Sequence, residues 1–462
     1  MGDAGIGRPD GQPDVKDKIS VNLSQEEITK LDADMIFVAA YQDETKNAED
    51  PKAKFQANPL WGHPQGQDRG RQRHHVVHRR EPPGRQRDAH RPGQPVRRDP
   101  VTPLSAFRVK PRDSGFTRNR PCHHRGVERS EATWSPAVLF EPSGSRLLCT
   151  LCPTGCSLAD GQVGACKVRR RSGDTGETAT RATSVRHLDP VERKPFYHVR
   201  PGAQTVTLAA PGCTFRCDYC VNHRISQYGR DHDTWSATPV DASAIARDAA
   251  TRDAFVALSY SEPSLAAELT LDLAAQGARV LWKSNGFLTP QAADLLAPAL
   301  TAVNIDIKGT DDTRHHRLTG APVTPVLDTI RALHAKNVWL EISTPLIPGI
   351  CDSPRDLATI AEFIAAIDPA IPWHLLRFTP TYRRAQDNPT TPTALAEARA
   401  IGHKAGLHHV YVERALGEEG RNTHCPTCRT PVIHRTIWGL ARNDLSDGTC
   451  PHCATTIQGI WR

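Results

Sequence analysis

The chain has 462 residues, 38% of them hydrophobic, with a formal net charge of +7. That length allows two or three domains with ample cores, and no apolar run approaches a membrane span. The charge is concentrated: residues 62–130 hold 17 Lys+Arg against 6 Asp+Glu, a net of +11, so the remainder nets 7 − 11 = −4. A nucleic-acid-binding reading of the whole protein therefore finds no support outside that segment.

Residues 1–61 contain a short foldable stretch. In LSQEEITKLDADMIFVAAY, Ser24 is placed to cap a helix, with Glu27 three residues on. Residues 62–137 are rich in Arg, Gln, His, Gly and Pro and are expected to be disordered. The opening residues MGDAGIGRPDGQ have no apolar segment of the secretory kind, so a cytoplasmic location is expected. In that compartment 13 cysteines point to metals rather than disulfides.

From Val138 onward, strand-like and helix-like segments alternate. Candidate strands are 205–210, 254–260, 278–284, 302–308, 338–344 and 373–379. Candidate helices lie near 240–251, 264–277, 290–298, 324–336, 354–367 and 392–405. Six βα repeats predict an α/β fold, a partial (β/α)6 barrel over 201–415 with chemistry at the C-terminal strand ends. Cysteine-rich elements flank it at 138–200 and 416–462.

Cys213-x3-Cys217-x2-Cys220 follows the first of these strands. Three thiolates on one loop can each take a different iron of a [4Fe–4S] cluster, leaving the fourth iron open to a cofactor. Structural zinc would want four ligands. Cys425-x2-Cys428-x21-Cys450-x2-Cys453 has two CxxC knuckles at ribbon spacing and suits zinc, or a single iron. Cys149, Cys152, Cys156 and Cys166 form another foursome. Its spacing does not decide between zinc and a second iron–sulfur cluster.

CTFRCDYC (213–220) resembles the cluster loop of radical S-adenosylmethionine (SAM) enzymes, with Tyr219 as its aromatic. Ser261-Glu262-Pro263 stands where the family holds the SAM amino group. Asn285-Gly286-Phe287 is similar to a TNG[FY] element, and Asp306 and Lys308 to an Asp-x-Lys element near the SAM ribose. CTLCPTGCSLADGQVGACKVR, DPVERKPFYHVRPG, NHRIS, HCPTC, CPHC and GIW then fall in order. With them, residues 147–462 resemble the radical SAM member of the AmmeMemoRadiSam system, a relative of pyruvate formate-lyase activating enzymes. Val221 and Ser261 depart from the family pattern.

The resemblance implies a [4Fe–4S] cluster on Cys213, Cys217 and Cys220, and SAM bound by its open iron. It implies reductive cleavage to methionine and a 5′-deoxyadenosyl radical that abstracts hydrogen from a substrate. Glu262 is the expected SAM-ammonium acceptor, or else a helix-capping carboxylate. Asn285, Asp306, Lys308 and His374 are further cofactor-side candidates, each also readable as structural. Implied partners are an electron donor such as flavodoxin or ferredoxin, and AMMECR-type and Memo-type proteins. The alternatives are a glycyl-radical-enzyme activase, or a non-enzymatic iron–sulfur carrier or metal-binding scaffold. Residues 19–61 resemble a fragment of periplasmic iron-siderophore-binding proteins. Residues 1 to about 137 thus read as a fusion or frameshift product, with a basic phosphate-binding arm as the alternative.

Overall fold

The computed structural model describes residues 132–231, 235–412, 416–437 and 439–462, and before them only the parallel pair Phe37–Val38 and Val76–Val77. The siderophore-protein-like fragment and the basic segment up to residue 131 otherwise lie outside the described residues. The chain divides into two units, 1–119 and 120–462, and the second carries all the elements that follow. The described fold includes residues before Val138: Ser135–Pro136 pairs with the strand Thr175–Thr178, and Trp134 lies under the Arg170 guanidinium at 4.2 Å.

Eight strands form one sheet in chain order. They are β1 (Val185–Pro190), β2 (Gln204–Ala209), β3 (Phe255–Leu258), β4 (Val280–Ser284), β5 (Ala302–Asp306), β6 (Trp339–Leu346), β7 (Trp373–Arg377) and β8 (Val410–Val412). β1 is antiparallel to β2, and β2 through β8 are parallel. β1 and β8 do not pair, so the barrel stays open. The six expected strands are β2 to β7, and the edge strands β1 and β8 are additions.

Each parallel crossover carries helix. These are α1 (Ala242–Thr251), α2 (Ala267–Ala275), α3 (Pro290–Leu296), α4 (Asp312–Thr319), α5 (Thr324–Ala335), α6 (Pro354–Ile367) and α7 (Pro392–Lys404). Three of them start on one sequence device, a hydroxyl residue followed by proline. Thr289, Ser353 and Thr391 accept from the backbone N–H three residues on, and Pro290, Pro354 and Pro392 occupy the first helical position. There the missing N–H costs nothing and the fixed φ suits the helix.

The two faces of the sheet differ in chemistry. Val256, Leu258, Val280, Trp282, Ile305, Ile342 and Trp373 pack with the helices in the main apolar core. By register, Lys283, Asn304 and Glu341 share the opposite, inner face, as do Asp306, Ser343 and His374. At the N-terminal strand ends that inner face is closed by a plug. Val191, Phe196 and Val199 pack against Phe255, Ala257, Leu281 and Ala302.

The C-terminal element docks beneath the plug. Ile460 bridges to Val199. The buried Arg435 donates to the Tyr197 carbonyl at 2.6 Å and to Thr423 Oγ1 at 2.9 Å. Among the described residues no helix is long and apolar enough to cross a membrane.

Candidate active site and metal centres

The loop after β2 carries Cys213, Cys217 and Cys220, and neighbouring backbone holds it in place. Arg216 N–H donates to the Thr319 carbonyl at the end of α4 at 2.6 Å. His315 of α4 meets the Phe215 ring edge-on at 5.4 Å. α4 was not expected from the sequence, although Asp311 caps its start and Gly320, at φ +83°, ends it. Arg230 donates to the carbonyls of Phe215 at 2.8 Å and Cys213 at 3.0 Å.

Donors also reach the sulfurs. Phe215 N–H lies 3.3 Å from Cys213 Sγ, and the Asn285 amide lies 3.6 Å from it while donating to Thr214 Oγ1 at 2.8 Å. Ser226 Oγ is 3.3 Å from Cys220 Sγ. Burial, then the Glu262 charge, pushes the Cys213 thiol well up. Burial pushes Cys217 to about 12, against the pull of Lys308. Metal binding would displace the protons that burial otherwise holds on these thiols. Three of them with surrounding donors are a donor set that fits an iron–sulfur cluster. Tyr219 is half-buried and packs beside Leu318, Ile347, Cys351 and Phe378.

At the same end of the barrel Glu262 is buried and already engaged. It accepts from Ser264 N–H at 3.0 Å as the cap of the 3-10 turn Pro263–Ala266, from Ser284 Oγ at 2.7 Å and from Asn285 N–H at 2.8 Å. Its four lone-pair positions leave room for one further donor. Asp306 ends β5 between two ammonium groups, Lys283 and Lys308. Burial alone would raise Asp306, but the two cations outweigh it and hold the carboxyl below its usual range. Lys283 also donates to Asn304 at 2.7 Å. Lys283 and Ser284 sit inside a predicted strand, and the lysine at its C-terminal end was the available signal.

His374 lies elsewhere. It is the second residue of β7, is fully buried, and bonds Glu341 at 2.6 Å. Glu341 also accepts from the backbone N–H of Tyr197 and His198 at 2.8–3.0 Å. His374 therefore belongs to the plug at the N-terminal mouth, not to the rim around Cys213.

On the inner face near β1, Asp189 accepts from Lys194 at 2.8 Å and pairs with His187 at 2.7 Å, and Lys194 donates to Tyr260 Oη at 2.6 Å. Tyr260 holds a left-handed φ of +70° immediately before Ser261-Glu262, a strain that functional sites often carry. Asp189 and Lys194 lie in the DPVERKPFYHVRPG motif, which carried no assigned role, and His187 and Tyr260 did not stand out in the sequence.

The sulfurs of Cys425, Cys428, Cys450 and Cys453 all lie within 4.8 Å of one another. Two of the separations are 3.5 and 3.7 Å. Zn–S bonds of about 2.3 Å in a tetrahedron require about 3.8 Å, so this site can hold a single tetrahedral ion. The two knuckles repeat one geometry. Cys425 and Cys450 N–H each donate to a threonine carbonyl, Thr430 and Thr455, at 2.9 Å. Arg429 and Ala454 each take the left-handed turn at φ near +60°.

The pattern of the radical SAM superfamily matches residues 208–364, from β2 into α6. An uncharacterized protein of Methanocaldococcus jannaschii is 30% identical over 332 residues, covering 70% of this chain and 98% of that one. The chain belongs to the radical SAM superfamily. It is a radical SAM enzyme, with a [4Fe–4S] cluster and SAM as its cofactors. The pyruvate formate-lyase-activating enzyme of Staphylococcus epidermidis is 28% identical over 202 residues, 38% of this chain and 76% of that one. A solved radical SAM methyltransferase of Sphaerobacter thermophilus is 17% identical, covering 47% of this chain and 68% of that chain at a TM-score of 0.37.

Proposed function

We propose that this radical SAM enzyme holds its cluster on Cys213, Cys217 and Cys220 and cleaves SAM reductively there, for hydrogen abstraction from a substrate. The observation that carries this is the three-thiol loop at the C-terminal end of β2, with no fourth cysteine in its sequence cluster. The bound cofactors supply the electron transfer and C5′–S cleavage that give methionine and a 5′-deoxyadenosyl radical. The chain's own residues do the rest. Asn285 and Phe215 N–H stabilise the Cys213 thiolate. Glu262 offers a pre-aligned carboxylate to the SAM ammonium, oriented by Ser264, Ser284 and Asn285. Asp306, flanked by Lys283 and Lys308, offers charge near the ribose.

For the substrate, the likeness to a pyruvate formate-lyase-activating enzyme favours a glycyl backbone on a partner protein. The flanking cysteine elements favour instead a small molecule handled with AMMECR-type and Memo-type partners, and a flavodoxin or ferredoxin would supply electrons in either case. The test is anaerobic turnover of the reduced, iron-loaded chain with SAM. Equal amounts of 5′-deoxyadenosine and methionine are expected, and none with Cys217→Ala. Equal product from Cys217→Ala would refute the assignment.

A further inference from the structure

Two four-cysteine groups flank the barrel, and the fold treats them differently. The C-terminal four draw together to within 4.8 Å, and among the described residues no other set of three metal-type ligands does so. The N-terminal four instead stand around a pocket. Cys149, Cys152, Cys156 and Cys166 all line it, together with Arg169 and Thr214. All four are free thiols. Arg169 is 1% exposed, and its Nε has no hydrogen-bond partner. A single tetrahedral ion needs sulfurs about 3.8 Å apart. Sulfurs that surround a space suit a polynuclear cluster, in which they bind different irons.

The locations differ as well. The C-terminal group belongs to the element docked at the N-terminal mouth. The N-terminal group lies against the cysteine triad. Thr214, in the pocket wall, is the residue after Cys213. Arg230 Nη2 donates to the carbonyls of both Ala165 and Cys213 at 3.0 Å, joining the two cysteine loops through one guanidinium. Gly212 has φ +98°, and a Cβ there would meet Val168 at 3.1 Å and the Cys166 carbonyl at 3.2 Å. The loops are packed to backbone contact. Thr289, after β4, fixes the far side by donating to the Thr150 carbonyl at 2.6 Å.

We propose that Cys149, Cys152, Cys156 and Cys166 hold a second, polynuclear iron–sulfur cluster, closed by four protein ligands and seated beside the triad's cluster. Its adjacency rests on the triad reading, whereas the site itself does not. With all four corners ligated it does not bind SAM, so it is electronically separate from the cofactor while lying within magnetic reach of the first cluster.

The test uses the full chain, purified anaerobically and reconstituted with iron and sulfide, with iron, sulfide and zinc measured per chain. Cys152→Ser/Cys156→Ser is expected to lose a third to a half of the iron and sulfide, as a two- or four-iron cluster departs, with zinc unchanged. Cys213→Ser/Cys217→Ser is expected to lose the complementary share. If only the first pair of changes removes iron, this site stands and the triad reading fails. If the first pair removes one zinc, or neither metal, the proposal is overturned. The unmodified protein gives a check that does not depend on a variant's folding. Its fully reduced electron paramagnetic resonance spectrum is expected to show two interacting clusters, only one of which responds to SAM. A single isolated signal that responds wholly to SAM would overturn the proposal.

Discussion

Glu268→Ala should unseat the cysteine-rich element from the barrel. Glu268, in α2, and Arg169 are each about 1% exposed and pair at 3.0 Å. The same Glu268 oxygen accepts the Val138 N–H at 2.9 Å, and Arg169 donates to the Val138 carbonyl. Removing the carboxylate leaves a buried guanidinium and an orphaned amide. Breaking one side of such a pair costs about 3–5 kcal/mol, and the Val138 N–H adds little, because that residue is 38% exposed and its amide can turn to water. Urea unfolding should show this loss, and limited proteolysis should cut first within residues 138–170. The double variant Arg169→Met/Glu268→Leu should recover most of it, because two apolar side chains strand no charge. A single-variant cost below about 1 kcal/mol, or a double variant no better than the single, would show that this pair does not hold the element in place.

Three further outcomes follow from the same contacts. Asn285→Ala removes an N–H donor from the Cys213 sulfur and should make the cluster harder to reduce, read as a more negative midpoint in a redox titration. Gly212→Ala should lower stability by about 1–3 kcal/mol and loosen iron retention, measured by urea unfolding and iron release to a chelator, since it adds a Cβ at a left-handed φ between the two cysteine loops. His198 is buried between the Gln458 carbonyl and Tyr411 Oη, each at 2.7 Å. Burial depresses it from 6.5 to about 4. The unfolded chain therefore binds the extra proton first, so this contribution is full above about pH 6.5 and is lost as pH falls toward 4. It is worth about 3 kcal/mol, and His198→Gln should flatten that part of the stability–pH curve.

The sequence made the parallel barrel legible because β2 to β7 are apolar runs separated by capped helices, and Thr-Pro or Ser-Pro pairs mark three of the helix starts. The edge strands were not legible. β1 reads VRHLDP, with a pattern of exposed and buried residues that only its pairing with β2 explains, and β8 is three residues long. Both metal-ligand sets on which spacing was informative, the triad and the C-terminal knuckles, stood out as cysteine patterns. Lys283, Glu341 and Arg435 did not: the lysine near the end of a strand is a weak signal, and nothing local marks the other two buried charges. Each is stabilised by partners distant in the sequence, such as Asp306, His374 and the Tyr197 carbonyl. The same holds for His374. It was readable both as a cofactor-side residue and as a structural one, and it is the second residue of β7, bonded to Glu341 beside the plug.

In this account of the enzyme the triad leaves one iron open for SAM. The direct measurement is electron–nuclear double resonance on the reduced protein with SAM labelled by ¹⁵N at its amino group and ¹⁷O at its carboxylate. Hyperfine coupling from both labels to one cluster, lost in Cys213→Ser/Cys217→Ser and kept in Cys152→Ser/Cys156→Ser, is the predicted result. A fully formed triad cluster that shows no coupling to either label would contradict it.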